Sequence, residues 1–159
     1  MRLAGGAGLV AALGTSTARA ASGDYEAMML SCIDPRFQEL VRNNGAAQGL
    51  TGKYSSFVVA GASIGVVAPA FKAWHETFWE NLGASVQLHN IKKVIVINHR
   101  DCGAAKIAYG EAMVANPQVE TETHRAALGE FRRQLAQRQP KLGAQTGLMA
   151  LNGELQMFS

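Results

Sequence analysis

Apolar residues gather along this chain in short runs separated by longer stretches of mixed pattern. Residues 27–31, 56–60 and 92–98 are apolar runs of strand length, each bounded by polar or Gly-containing segments. Runs of that kind predict strands buried on both faces. Between the second and third runs the period changes. Phe71, Trp74, Phe78, Trp79, Leu82 and Val86 recur at helical spacing and predict a long amphipathic helix over 69–89, with these six as its core stripe. Shorter helices are predicted over 35–44 and from Cys102 to Gly110. Residues 45–52 read as a turn, 61–65 as a loop, and the stretch after Gly110 through Pro117 as a polar loop. Residues 121–138 read as a surface helix of mixed charge on which His124 is solvated, while His75 and His89 read as structural. The end, 146–158, is a strand, an Asn-Gly turn and a strand. Strands alternating with helices predict an α/β fold, a mainly parallel β-sheet flanked by helices.

The first 20 residues follow another pattern. Residues 3–14 are small and apolar, and Ala18-Arg19-Ala20 fits a small-x-small cleavage site. This predicts a signal peptide over 1–20, of a twin-arginine type lacking its first residues, with export to the periplasm. A single domain then occupies 21–159. The apolar stretch is too short for a membrane span. Arg2 and Arg19 are two of the chain's 15 basic residues, so residues 21–159 carry 13 basic against 12 acidic groups, a formal charge of +1. The whole-chain pI of about 9.1 therefore gives no reason to expect a nucleic-acid or membrane partner.

Chemistry concentrates in two segments, Cys32-Ile-Asp-Pro-Arg36 and His99-Arg-Asp-Cys-Gly103, each directly after an apolar strand. Zinc prefers sulfur and nitrogen donors in a tetrahedron, and its catalytic sites keep one position free. Cys32, His99 and Cys102 offer three such ligands. Asp101 is a candidate N-cap for the helix after it, which would put Cys102 at a helix N-terminus, where a thiolate is favoured. Asp34 is likewise a candidate cap with Pro35 at N1. Arg36 then sits in a first turn, against the helix dipole, so a forked pair with Asp34 is expected. In open parallel sheets ligands bind at the carboxyl ends of strands, where both segments lie. The alternative for the two cysteines is a disulfide in a redox or binding protein, natural for an exported chain. It leaves His99, Asp34 and Arg36 unexplained.

C-x-D-x-R followed some 65 residues later by H-x-x-C-G resembles the β-class carbonic anhydrases. The stretch Lys93-Val-Ile-Val-Ile-Asn-His-Arg-Asp-Cys-Gly-Ala is similar to that family's strand and turn around its second cysteine. The resemblance implies a zinc lyase, a carbonic anhydrase interconverting CO2 and bicarbonate, and a homodimer or higher homo-oligomer. By the same resemblance Cys32, His99 and Cys102 are the metal ligands and Asp34 and Arg36 the catalytic dyad, Asp34 orienting a metal-bound hydroxide. In some members the aspartate can instead close the fourth metal position, and by resemblance Asp34 is a metal ligand only in such a closed state. Carbonyl sulfide and carbon disulfide hydrolases share these ligands and are an alternative. Two thiolates already offset the charge of the metal, so activity is expected to rise toward alkaline pH. Residues 61–65 follow a strand in G-x-x-x-G spacing, which is not the dinucleotide fingerprint. By resemblance this loop lines the substrate pocket.

Overall fold

The computed structural model describes residues 23–159; the expected signal peptide at 1–20 lies outside them. Five strands form one sheet: β1 (Ala27–Ser31), β2 (Tyr54–Val58), β3 (Lys93–His99), β4 (Gly143–Met149) and β5 (Leu155–Phe158). Their order is β2-β1-β3-β4-β5, with all pairs parallel except the antiparallel β4–β5 hairpin. The α/β expectation is thus met. From β1 the chain first adds a strand on one side, then crosses to the other. The sheet therefore has a topological switch point between β1 and β3, where Ser31 is registered with Ile97. A crevice opens at the carboxyl ends of such a strand pair.

Five α-helices cover the two faces: α1 (Gln38–Ala47), α2 (Ser63–Val67), α3 (Lys72–His89), α4 (Gly103–Tyr109) and α5 (Pro117–Arg138). The central strands β1 and β3 are largely apolar because both of their faces are covered. Met29, Ile95 and Ile97 pack with Phe37, Val41, Ala104 and Ala105 on one side. Met28, Leu30, Val94 and Val96 pack with Phe78, Trp79, Leu82, Leu128 and Phe131 on the other. Among the described residues no helix is long and apolar enough to cross a membrane.

Several boundaries differ from expectation, each for a physical reason. The first helix starts at Gln38, not 35. Residues 35–37 form a tight turn in which Phe37 N–H donates to Asp34 O, so Asp34 caps that turn rather than α1. Residues 63–67 are helical, where the sequence predicts a loop over 61–65. Their burial against α3 and α5 outweighs the poor helix propensity of glycine. Gly65 is required there, since a Cβ would lie 2.4 Å from Ala60 O. Pro69–Phe71 is a 3-10 turn leading into α3, and Trp74 of the expected stripe is 40% exposed instead of core. Asp101 caps nothing; it sits at φ +55°, and Cys102 takes the N-cap position of α4.

The largest correction concerns α5. It begins at Pro117, capped by the Asn116 side chain, which accepts from Gln118 N–H and Val119 N–H. One face is buried, carrying Glu120, Thr123, His124, Ala127, Leu128, Phe131 and Leu135. His124 is 0% exposed and not solvated. The buried face has little apolar periodicity because Glu120, Thr123 and His124 are buried on it, held by Arg100, the Asp101 N–H, backbone carbonyls and Asn98.

A candidate metal centre at the switch point

β1 ends at Ser31 and β3 at His99, side by side in the sheet, so Cys32 and His99 emerge next to each other. Cys102 returns to the same place because the residues after His99 turn sharply, with Asp101 in the left-handed region. The donor atoms of Cys32, His99 and Cys102 lie within 4.8 Å of one another, and all three residues are buried. Both cysteines are free, so the disulfide alternative lacks its bond.

This trio suits a zinc ion. His99 Nδ1–H donates to Arg100 O at 2.8 Å, which fixes the tautomer and leaves Nε2 with its lone pair. Nε2 is buried and has no hydrogen-bond partner. A buried nitrogen without a partner is costly, and a metal among three such donors removes the cost. The ring is held from the side by Phe37, with centroids 4.8 Å apart. The Cys32 thiol is pulled far below its ordinary value, chiefly by the neighbouring Cys102 thiol, with Gly61 N–H adding, against the opposing effect of burial. Cys102 is pushed up by Cys32 and by burial.

Gly61 N–H donates to Cys32 Sγ at 3.2 Å. Its φ of +80° and the 3.0 Å approach that a Cβ would make to Ala104 Cβ admit only glycine. Behind Gly61, Ser63 N–H and Oγ–H both donate to Asn98 Oδ1, at 3.1 and 2.9 Å. The Asn98 amide in turn donates to His124 Nδ1 at 3.0 Å. Burial, with His99 and Arg100 adding, holds the His124 imidazole down to about 4, so it is neutral and accepts this bond.

Asp34 and Arg36 stand at the open side. Arg36 Nε donates to Asp34 Oδ1 at 3.0 Å and Nη2 to Oδ2 at 2.7 Å, the forked pair the spacing suggests. Arg36 N–H donates to Oδ1 as well, at 2.9 Å. The Arg36 side-chain hydrogen bonds hold the Asp34 carboxyl down to about 2. Asp34 Oδ2 lies 3.9 Å from His99 Nε2, on the side the trio leaves open. The other arm of Arg36 reaches the second turn, donating from Nη1 to Asp101 Oδ2 at 2.9 Å and from Nη2 to Asp101 O at 3.2 Å. The mouth is a cavity of about 350 Å³ with apolar walls from Ile33, Ala60, Phe71, Trp74 and Ile107. His75 and His89 lie elsewhere, bonded to Ala68 O and Ser55 Oγ, as their structural reading expects.

The resemblance already places the 61–65 loop at the pocket, where Gly61 and Ser63 are found; sequence reasoning missed Asn98, Glu120 and His124. One signal was available. Asn116-Pro117 is a helix-start pair, and it would have placed Glu120 in a first turn facing the His99–Cys102 segment.

No family model matches the chain. It is 30% identical over 131 residues to an uncharacterized protein of Rickettsia bellii, covering 82% of this chain and 80% of that one. An uncharacterized protein of Rickettsia conorii is 29% identical over 131 residues, covering 82% and 70%. Among solved structures, a tetrameric β-carbonic anhydrase of Sordaria macrospora superposes with a TM-score of 0.57 at 11% identity, covering 87% of this chain and 82% of that one. β-Carbonic anhydrase isoform I of Trichomonas vaginalis gives 0.57 at 13% identity, covering 86% and 83%. A Coccomyxa β-carbonic anhydrase bound to acetazolamide gives 0.56 at 13%, covering 86% and 73%. At these identities the likeness is one of fold.

Proposed function

We propose, from the premise that this chain belongs to a β-carbonic anhydrase-like family, that it is a zinc-dependent carbonic anhydrase converting CO2 and water to bicarbonate. The observation that carries this reading is the buried Cys32–His99–Cys102 trio with an arginine-held carboxylate at its open side. Cys32, His99 and Cys102 hold the zinc. When bound, it supplies a Lewis acid that makes water acidic enough to be a nucleophile near neutral pH.

The remaining roles belong to the protein's own residues. Asp34, kept anionic by Arg36, accepts a hydrogen bond from the attacking water and aims its other lone pair at the carbon of CO2. As the new C–O bond forms, one C=O π pair moves onto oxygen, giving bicarbonate and releasing a proton. Arg36 also ties Asp34 to the turn bearing Cys102, which keeps the carboxylate registered with the ligands. The apolar mouth admits an uncharged gas and disfavours bulk water. In a closed form of the same site Asp34 would be a further metal ligand, at the expense of its pairing with Arg36. The apolar walls of the mouth also favour a second reading, hydrolysis of carbonyl sulfide or carbon disulfide at the same centre.

This proposal includes export to the periplasm and assembly as a homodimer or higher oligomer, the latter supported by exposed Ile33, Val58, Trp74 and Ile107 around the mouth. The test is zinc content together with stopped-flow CO2 hydration at alkaline pH, against a Cys32→Ser control. One zinc per chain with turnover above the control is the expected result. One zinc without CO2 turnover, but with release of sulfide from carbonyl sulfide, would transfer the assignment to the second reading.

A further inference from the structure

Arg100 C=O and Asp101 N–H are the two ends of one peptide unit, and both ends are engaged. The carbonyl accepts His99 Nδ1–H at 2.8 Å. The N–H donates to Glu120 Oε1 at 2.6 Å. We propose that Glu120 is a positioning residue for the ligand His99, acting through this peptide unit. The inference rests on reading Cys32, His99 and Cys102 as a zinc site.

Metal-bound histidines commonly donate their second ring N–H to a carboxylate, which orients the ring and makes it a stronger donor to the metal. Here a peptide group stands between the two. A carboxylate on the N–H end of an amide polarises it and strengthens the carbonyl at the other end as an acceptor. The charge of Glu120 is thereby passed to Nδ1–H and on to Nε2, the atom that has no other partner.

Geometry adds a second effect. Asp101 has φ +55°, a region that L-residues other than Asn and Asp seldom enter. Its peptide N–H must point at α5 for the carbonyl to face His99, and Glu120 is what it meets. Glu120 is itself braced. Only 6% exposed, it accepts Arg100 Nη1–H at 3.1 Å with Oε2. Arg100 is anchored further on Pro117 O and Thr121 Oγ1, at 3.2 and 2.9 Å. A carboxylate so buried is expensive unless it is paired, and both of its oxygens are paired to the ligand-bearing turn. Its place in the first turn of α5 is favoured by the helix dipole.

The test measures metal binding by the full chain as wild type, Glu120→Gln and Glu120→Ala, with folding checked by circular dichroism. Zinc affinity is read by competition with a chromogenic chelator, and the ligand field by the visible bands of the cobalt(II)-substituted protein. Glu120→Ala is expected to weaken zinc binding by about 10- to 100-fold and to shift the cobalt bands. Glu120→Gln, which keeps an oxygen for the Asp101 N–H but not the charge, falls between. If both folded variants bind zinc within about twofold of wild type and leave the cobalt spectrum unchanged, the inference is wrong, whatever happens to the melting temperature. If Glu120→Ala does not fold, Glu120→Gln and the wild-type Asp101 amide decide. That amide is expected well downfield in the ¹H–¹⁵N spectrum, and an ordinary backbone shift overturns the inference. A wild-type chain that takes up no zinc overturns the metal reading first, and this inference with it.

Discussion

The turn after β1 is held mostly by its own neighbours, with Arg36 reaching across to Asp101, whereas the turn after β3 is closed by a distant helix. In the first, Asp34 takes the Arg36 backbone and guanidinium, and the Gln38 side chain donates to Cys32 O and Asp34 O. Those partners lie two to six residues apart in the chain. In the second, Asp101 N–H, the Arg100 side chain and Asn98 are met by Glu120, Thr121 and His124, about 20 or more residues later. The first turn carries an exposed Arg36 over a mostly covered Asp34, and the second carries the largely buried Arg100–Glu120 pair on its inner side and the exposed Asp101, paired with Arg36 and Lys106, on its outer side. A locally built turn with a charged pair can serve as the proton-handling side of a site. A braced turn serves as its fixed side.

The contrast can be broken most severely at the ligands. Cys32→Ser and His99→Ala should each lose stoichiometric zinc, by atomic emission, together with turnover. This would show that both turns are needed to hold the metal. Next in size is Asp34→Ala, which should keep zinc and lower turnover by about 10²- to 10⁴-fold, since three ligands remain. Full activity in that variant would remove the Asp34–Arg36 pair from the mechanism.

Acid sharpens the comparison at a smaller scale. His124 is held down to about 4 in the folded chain, whereas an unfolded histidine titrates near 6.5. Between those values the unfolded chain takes up a proton that the folded one refuses. Stability is therefore complete above about pH 6.5 and falls, by up to about 3 kcal/mol, as pH drops toward 4. Asp34 behaves in the opposite range. Its contribution is present above 3.8 and is lost only as pH falls through about 2. Urea unfolding from pH 7 to pH 4 should show a declining midpoint that His124→Gln flattens. A slope unaltered by that substitution would mean the buried histidine is not responsible. Smallest is Asn98→Ala, expected to cost about 1–3 kcal/mol in the same assay by leaving Ser63 and His124 with unmet polar groups.

The same contrast explains what was legible. Cys32, Asp34, Arg36, His99 and Cys102 could be picked from the sequence because strand-then-turn patterning and short spacing mark them. The parallel sheet was legible for the same reason, since its central strands are apolar runs that need both faces covered. The α5 brace was not. Glu120 and His124 are polar residues on a helix, and by pattern alone such residues belong in solvent. Only their partners, Asp101 N–H and Asn98, show why they are buried. Likewise the helical state of 63–67 is set by packing that no local propensity reports.

A chain made from its N-terminus presents Cys32, His99 and Cys102 to the solution before residues 117–124 exist. Arg100 N–H also needs Met149 O, on a strand that is synthesised later still. A nascent chain ending near residue 115 would thus carry every ligand and no finished site. Metal captured by the completed protein is in that sense a receipt for the C-terminal third, and a truncated product that kept all three ligands would still be expected to hold zinc poorly.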